Sequence, residues 1–342
     1  MKAPVFFIHG IVRGTGGTAQ LPVLNSAEVR ALNYRDMACL ISGPFPAGPA
    51  EGTSALADML TMHHSVLEQA MDRARAVLPV KMGAKFTSDG QVVDLMERAY
   101  TEFSKRLDVL EDRIEADLTA YWQDLDGMIK GIAAVDGEIT LLRERIQGRP
   151  ANETLEERIR VGSAIKDRVE KRRVKAQSLI LERLGKEVCR SRVLELADDR
   201  IVLSCALLID RKKLQGFEKA LDEVNSILEE KVRLRYVSPL PPYSFAMLEV
   251  KEAEYEEVLR AKSLFGLGDE FTPADIKQAY HNMALELHPD SDQDNAALNA
   301  GFEDVKKAYE ALRNFCQSGR CSFRQGGLQS FLYIETRGQE AA

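Results

Sequence analysis

The sequence predicts an α+β chain of two or three domains, and three patterns carry that reading. Short Val/Ile/Leu-rich runs of strand length recur from the N-terminus to about residue 240. Between Arg113 and Val237 the elements alternate as strand, helix, strand, helix, strand, the order of a split βαβ, ferredoxin-like unit. Near the C-terminus two segments with 3.6-residue apolar spacing flank a polar loop, the pattern of an antiparallel helical pair. The 342 residues exceed one ordinary core. With 45% hydrophobic and 29% charged residues the composition is globular. The net charge of −7 counts against a dedicated nucleic-acid binder, which carries a basic excess.

Pro4 to Val12 reads as a strand ended by Gly14-Thr15-Gly16-Gly17. That glycine run lacks the lysine and Ser/Thr of a phosphate-binding loop and is read as a turn. Met37 to Ser42 predicts a second strand, closed by a Gly/Pro-rich stretch. Ser54 to Val77 shows helical spacing, with Leu56, Met59, Leu60, His63, Leu67, Ala70 and Met71 on one face. Adjacent helix positions diverge by about 100°, so His63 and His64 do not converge on one metal ion; one is expected half-buried and the other exposed. After a turn at Ser88-Asp89-Gly90, one helix is expected from Gln91 onward through Leu95, Phe103, Leu107 and Leu110.

Alternation of Ile114, Ala116, Leu118, Ala120 and Trp122 predicts a strand over 113–122, with a helix as the alternative. Residues 124–149 and 152–192 read as charged helices, and the basic run 171–175 as a solvated face screened by neighbouring acids. Ile201 to Asp210 is a buried strand, Leu214 to Leu228 an amphipathic helix and Lys231 to Val237 a final alternating strand. The longest apolar run is about half the length that spans a bilayer. The five cysteines include no C-x-x-C pair, and their spacing fits reduced thiols, with Cys39 and Cys205 in the core.

Val237-Ser238-Pro239-Leu240-Pro241-Pro242-Tyr243-Ser244-Phe245 resembles the Gly-Pro-Trp-Pro-Pro-Tyr-x-Phe signature of the GvpL/GvpF family of gas vesicle proteins. Residues 77–86, "VLPVKMGAKF", resemble that family's Leu-Pro-x-Arg-Phe-Gly-x-x-Phe stretch, and His64 with Val66-Leu67 its His-x-x-Leu helix. The resemblance covers about residues 1–250 and implies two α+β domains, the second a modified ferredoxin fold. It implies no enzyme, no cofactor and no metal, but an accessory protein handling the aggregation-prone gas vesicle shell subunit. Pro241, Pro242, Tyr243 and Phe245 are then candidate shell-subunit contacts, because the diproline stiffens the segment that presents the rings. The same residues equally fit a chain turn that plugs its aromatics into the core.

Residues 285–294, "LELHPDSDQD", invite a calcium-loop reading. Asn295 stands where such a loop needs glycine and Gly301 where it needs a bidentate glutamate, so that reading fails. A catalytic His288/Asp290 pair lacks a placed nucleophile. The flanks point to docking. Thr272 suits an N-cap, Pro273 the first helical position and Asp275 a capping box. Ile276, Ala279, Tyr280, Met283 and Leu287 follow with helical spacing, and Leu298, Phe302, Val305, Tyr309 and Leu312 line a facing helix. Tyr255, Val258, Leu259 and Leu264 form a short preceding helix.

Those stretches are similar to the J domain of the DnaJ family over about residues 253–315. The similarity implies that His288, Pro289 and Asp290 dock on a DnaK-type chaperone and stimulate its ATPase, with Lys277 on the helix that steers docking. That helix is less basic than is usual in the family, carrying Asp275, Glu286 and His281 beside Lys277, which implies weak or partner-restricted docking.

The fold expected is therefore α+β: an N-terminal α+β domain (1–105), a ferredoxin-like domain (106–250) with a long charged helical insertion (124–192), a small all-α J-domain helical hairpin (253–315) and a tail (316–342) with strand propensity at Ser330 to Glu335. The function expected is a cytoplasmic, gas-vesicle-associated assembly protein that binds the shell subunit and recruits a DnaK-type chaperone. The alternative is a structural minor component whose hairpin serves only for adhesion.

Overall fold

The structure, a computed structural model, describes residues 4–14, 29–45, 53–228, 231–286, 296–317, 319, 321–323 and 329–335. The fold divides the chain into two compact units, 1–112 with 241–342, and 113–240.

The first unit begins with β1 (Val5–Arg13), β2 (Val29–Tyr34) and β3 (Met37–Phe45), followed by α1 (Thr53–Met71), β4 (Ala76–Pro79), β5 (Lys85–Phe86), α2 (Asp89–Arg98) and α3 (Tyr100–Leu110). The antiparallel sheet runs β2-β3-β1-β4, with β5 also pairing β1. A central strand is covered on both faces, which is why β1 is apolar almost throughout. At Gly10 the helix comes so close that a Cβ would stand 2.8 Å from a Leu67 methyl.

Three expectations change here. The helix over Ser54 to Val77 stops at Met71, because the chain turns on Ala70 and buries Ala76, Val77, Leu78 and Pro79 as a strand against β1. Its predicted apolar face is cut short too: Leu56 and Leu60 are 52% and 54% exposed. The helix from Gln91 is two helices, broken at Ala99, whose φ/ψ of −97°/7° leaves the helical region. The edge strand β2 was not legible, since its exposure does not alternate cleanly.

The second unit holds β6 (Arg113–Trp122), α4 (Leu125–Val135), α5 (Gly137–Ile146), α6 (Leu155–Leu184), β7 (Val188–Val193), β8 (Ile201–Asp210), α7 (Leu214–Ile227) and β9 (Val232–Leu240). All four strands pair antiparallel in the order β7-β8-β6-β9, and the chain order is β-α-β-β-α-β. The thirty residues of α6 span about 45 Å. Ala176, Ile180 and Leu184 of α6 are buried toward its C-terminal end. Near its middle Val169 joins Ile132 and Ile139 in a satellite core, fastened by Arg168 to Asp136 at 2.7 Å. The helix expected to reach Arg192 ends at Leu184. Val188–Val193 is instead the edge strand β7, whose mostly exposed, polar residues mimic a charged helix.

The chain then returns to the first unit with α8 (Tyr243–Ala246), β10 (Val250–Glu254), α9 (Tyr255–Leu264), β11 (Glu270–Phe271), α10 (Pro273–Glu286), α11 (Ala296–Phe315), β12 (Cys321–Ser322) and β13 (Ser330–Ile334). Helices α9, α10 and α11 enclose a core of Tyr255, Val258, Phe271, Ile276, Val305, Leu312 and Phe315. The left-handed φ of +62° at Gly266 makes the corner after α9. Leu259 and Leu264 stay 37% and 45% exposed. The tail, whose residues Ser330 to Glu335 have strand propensity but equally fit a disordered end, forms β13 there and pairs antiparallel with β10.

One cysteine reading is corrected: Cys316 and Cys321 form a disulfide, because the end of α11 and β12 bring their Cα atoms to 5.6 Å. Cys39 and Cys205 are free and buried as expected.

Candidate functional site

The capping box foreseen at the start of α10 is present. Thr272 N–H and Oγ1 donate to Asp275 Oδ2 at 2.8 Å, and Asp275 N–H donates to Thr272 Oγ1 at 3.2 Å. With its first turn satisfied, α10 lies along α11, and the rings of Tyr280 and Tyr309 pack at a 36° tilt with centroids 4.5 Å apart. Tyr280 and Met283 pack against the helical core. Lys277 sits on the outer side of this pair, in a groove of about 750 Å³ that it shares with His281, Lys306, Arg313 and a single acid, Glu310.

Lys306 and Arg313 were not singled out from the sequence. They lie seven residues apart on α11, two turns along one face, and only the packing of α10 on α11 places them beside Lys277 and His281. The groove is thus more basic than α10 alone. His288, Pro289 and Asp290 lie outside the described residues, as does Leu287.

The helical hairpin is mounted on the N-terminal sheet-and-helix layer by polar pins. Arg98, at the end of α2, donates to the carbonyls of Phe315 at 3.2 Å and Leu332 at 2.6 Å. Its guanidinium also covers the rings of Phe315 and Phe331 and pairs with Asp94 at 2.7 Å. Gln91, 2% exposed, caps α2 through its carbonyl and donates from its amide to Glu252 and Ser330, each at 2.8 Å. Both residues are long polar side chains at the ends of α2, and nothing in their spacing marks them.

Pro241 and Pro242 are buried, whereas Tyr243 and Phe245 are half-buried. Tyr243 Oη bonds His64 Nδ1 at 2.9 Å, and the two rings stack. The segment is a short helix, α8, rather than an extended strip.

His63 is 6% exposed, more deeply buried than half, and His64 is intermediate. His63 Nδ1 lies 2.9 Å from His9 Nδ1, and His9 Nε2 lies 2.8 Å from Ser42 Oγ. Burial foremost, and then His63, push the His9 pKa down to about 3. Burial likewise lowers His63, partly offset by its bond to the Val80 backbone. The Ser–His–His string has the bonding of a proton relay. Ser42 and His9 are 0% and 1% exposed, so the string is a buried polar network satisfied by its own hydrogen bonds.

Comparison with known proteins places these features. Residues 5–247 match the family described as "Gas vesicle synthesis protein GvpL/GvpF", and residues 263–316 match the "DnaJ domain". The chain is 25% identical over 247 residues to "Gas vesicle protein F" of Streptomyces, covering 70% of this chain and 98% of that protein. It is 41% identical over 63 residues to "Protein CAJ1" of Saccharomyces cerevisiae, covering 18% of this chain and only 15% of that protein. The crystal structure of gas vesicle protein GvpF from Anabaena shares the fold, with a TM-score of 0.62 at 20% identity over 71% of this chain and 98% of that one. GvpF from Microcystis aeruginosa does so with a TM-score of 0.58 at 19% identity, again over 71% and 98%. The chain therefore belongs to the GvpL/GvpF gas vesicle synthesis protein family, and carries a DnaJ domain at its C-terminal end.

Proposed function

We propose that this chain is a cytoplasmic assembly factor of the gas vesicle, without catalysis of its own, that binds the hydrophobic shell subunit and brings a DnaK-type chaperone to it. The observation that carries the reading is the fixed mounting of the DnaJ helices on a GvpF-type layer through Arg98, Gln91 and the β10–β13 pair. A helper recruited by the hairpin is held at a set position beside whatever the layer grips, which raises the effective concentration of one for the other. A sticky β-rich subunit needs such custody until it joins the wall. The groove of Lys277, His281, Lys306 and Arg313 supports the reading, since a basic face speeds encounter with an acidic chaperone surface.

The test is the steady-state ATPase rate of a DnaK-type chaperone with and without the full chain. Stimulation is expected, and His288→Gln or Asp290→Asn should remove it. A wild-type chain that leaves the rate unchanged ends the co-chaperone role. A pull-down of the shell subunit, with Tyr243→Ala and Phe245→Ala as variants, tests the other half.

A further inference from the structure

Strand β9 is an outer strand of the second sheet, and the phase of its backbone can be read from one bond. Gln123 N–H donates to the Lys231 carbonyl at 3.0 Å, so Lys231 and Gln123 form a hydrogen-bonded antiparallel pair. The register continues as Tyr121↔Arg233 and Thr119↔Arg235. Arg233 and Arg235, ahead of the register shift that follows Val237, therefore spend their N–H and C=O on β6. Those of Val232, Leu234 and Tyr236 point away from the sheet. Among the described residues nothing accepts from or donates to them.

The side chains alternate in the same phase. Val232, Leu234 and Tyr236 share one face, where Tyr236 meets Phe217 of α7 edge-on. Arg233 and Arg235 stand exposed on the other face, and among the described residues neither has a carboxylate partner. Between them and Tyr121, Trp122 and Gln123 lies an open depression of about 560 Å³.

We infer that the outer edge of β9 is a docking site for an extended acidic segment of a partner polypeptide, which adds as a fifth strand. Residues of the added strand opposite Arg233 and Arg235 point to the arginine face, so carboxylates at alternate positions meet the two guanidiniums. The residues between them fall on the Leu234–Tyr236 face and are apolar. The occupant thus alternates acidic and apolar side chains. A second copy of this chain does not fit, because pairing β9 with itself sets arginine against arginine.

The probe is a peptide as long as the nine residues of β9, alternating glutamate and valine, titrated into the full chain. Binding is read from the emission of Trp122, the only tryptophan in the sequence, and from heat. Saturable binding is expected, weakened about tenfold or more by Arg233→Glu with Arg235→Glu, since two cross-strand charge pairs are broken. Leu234→Pro removes an outward N–H, leaves the bonds to β6 untouched and should abolish binding. Hydrogen exchange on the wild-type chain gives an answer independent of any variant: the peptide should slow exchange at Val232, Leu234 and Tyr236. No binding at millimolar peptide overturns the proposal. So does equal binding of an alternating lysine–valine peptide, protection at other amides, or an oligothymidylate that displaces the glutamate peptide.

Discussion

Arg98 lies over the ring of Phe315, with its guanidinium 5.3 Å from the ring centroid, while it donates to the Phe315 carbonyl at 3.2 Å. One side chain of α2 thus holds the last turn of α11 by both face and backbone, and reaches β13 with its other terminal nitrogen, Nη2.

Arg98→Ala should cost about 2–4 kcal/mol of stability, because it removes the hydrogen bonds of a charged group and two cation–π interactions at a site only 12% exposed. Denaturant titration measures it. Arg98→Lys should recover less than half, because a point charge cannot serve two carbonyls and two rings at once. A loss below about 1 kcal/mol would show that apolar packing alone holds the helices in place.

Ending the chain after residue 328 removes β13. Phe331 and Leu332 are 0% exposed and Ile334 2%, and each such side chain stabilises by about 1.5–3 kcal/mol. The shortened protein should unfold several degrees lower and bind a hydrophobic dye. The amides of β10 that face β13 should exchange faster. Unchanged exchange in β10 would contradict the pairing.

The buried histidine string makes stability depend on pH in a definite direction. His9 titrates near 6.5 unfolded and near 3 folded, so between those values the unfolded chain binds more protons. Stability is therefore fully present above about pH 6.5 and falls as the pH drops, by about 1.4 kcal/mol per pH unit from His9, levelling near pH 3. His63 acts in the same direction. Denaturation midpoints at pH 7 and pH 5 should differ for the wild type and differ less for His9→Gln, with His63 left to supply the remainder.

Reversing the two cations of α11, Lys306→Glu with Arg313→Glu, should slow association with a DnaK-type chaperone about tenfold at low salt, and less at high salt. Both side chains are exposed, so thermal stability should hardly change. An association rate that ignores the double reversal would take the groove out of the docking reading.

Legibility followed burial. β8, Ile201–Asp210, coincides with the expected strand because it is apolar along its length, and β6 because its apolar residues alternate. β7 was hidden because an exposed edge strand needs no apolar face, so VCRSRV carries no period to read. In the helical hairpin, Thr272 and Asp275 announced their capping box, since a cap is local chemistry three residues long. Lys306 and Arg313 could not be connected to Lys277 without knowing which face of α11 meets α10. Cys316 and Cys321 gave no signal either, because a five-residue separation says nothing until the turn between α11 and β12 closes.

The first compact unit is discontinuous: its sheet is complete by residue 112, but its DnaJ helices and their fastening strand follow 128 intervening residues, Arg113–Leu240. On the ribosome the sheet can thus form while the DnaJ helices that pack on the same unit are still untranslated. Under the function proposed above, a prematurely terminated chain would carry the shell-subunit half without the chaperone-recruiting half, so only finished molecules would join the two.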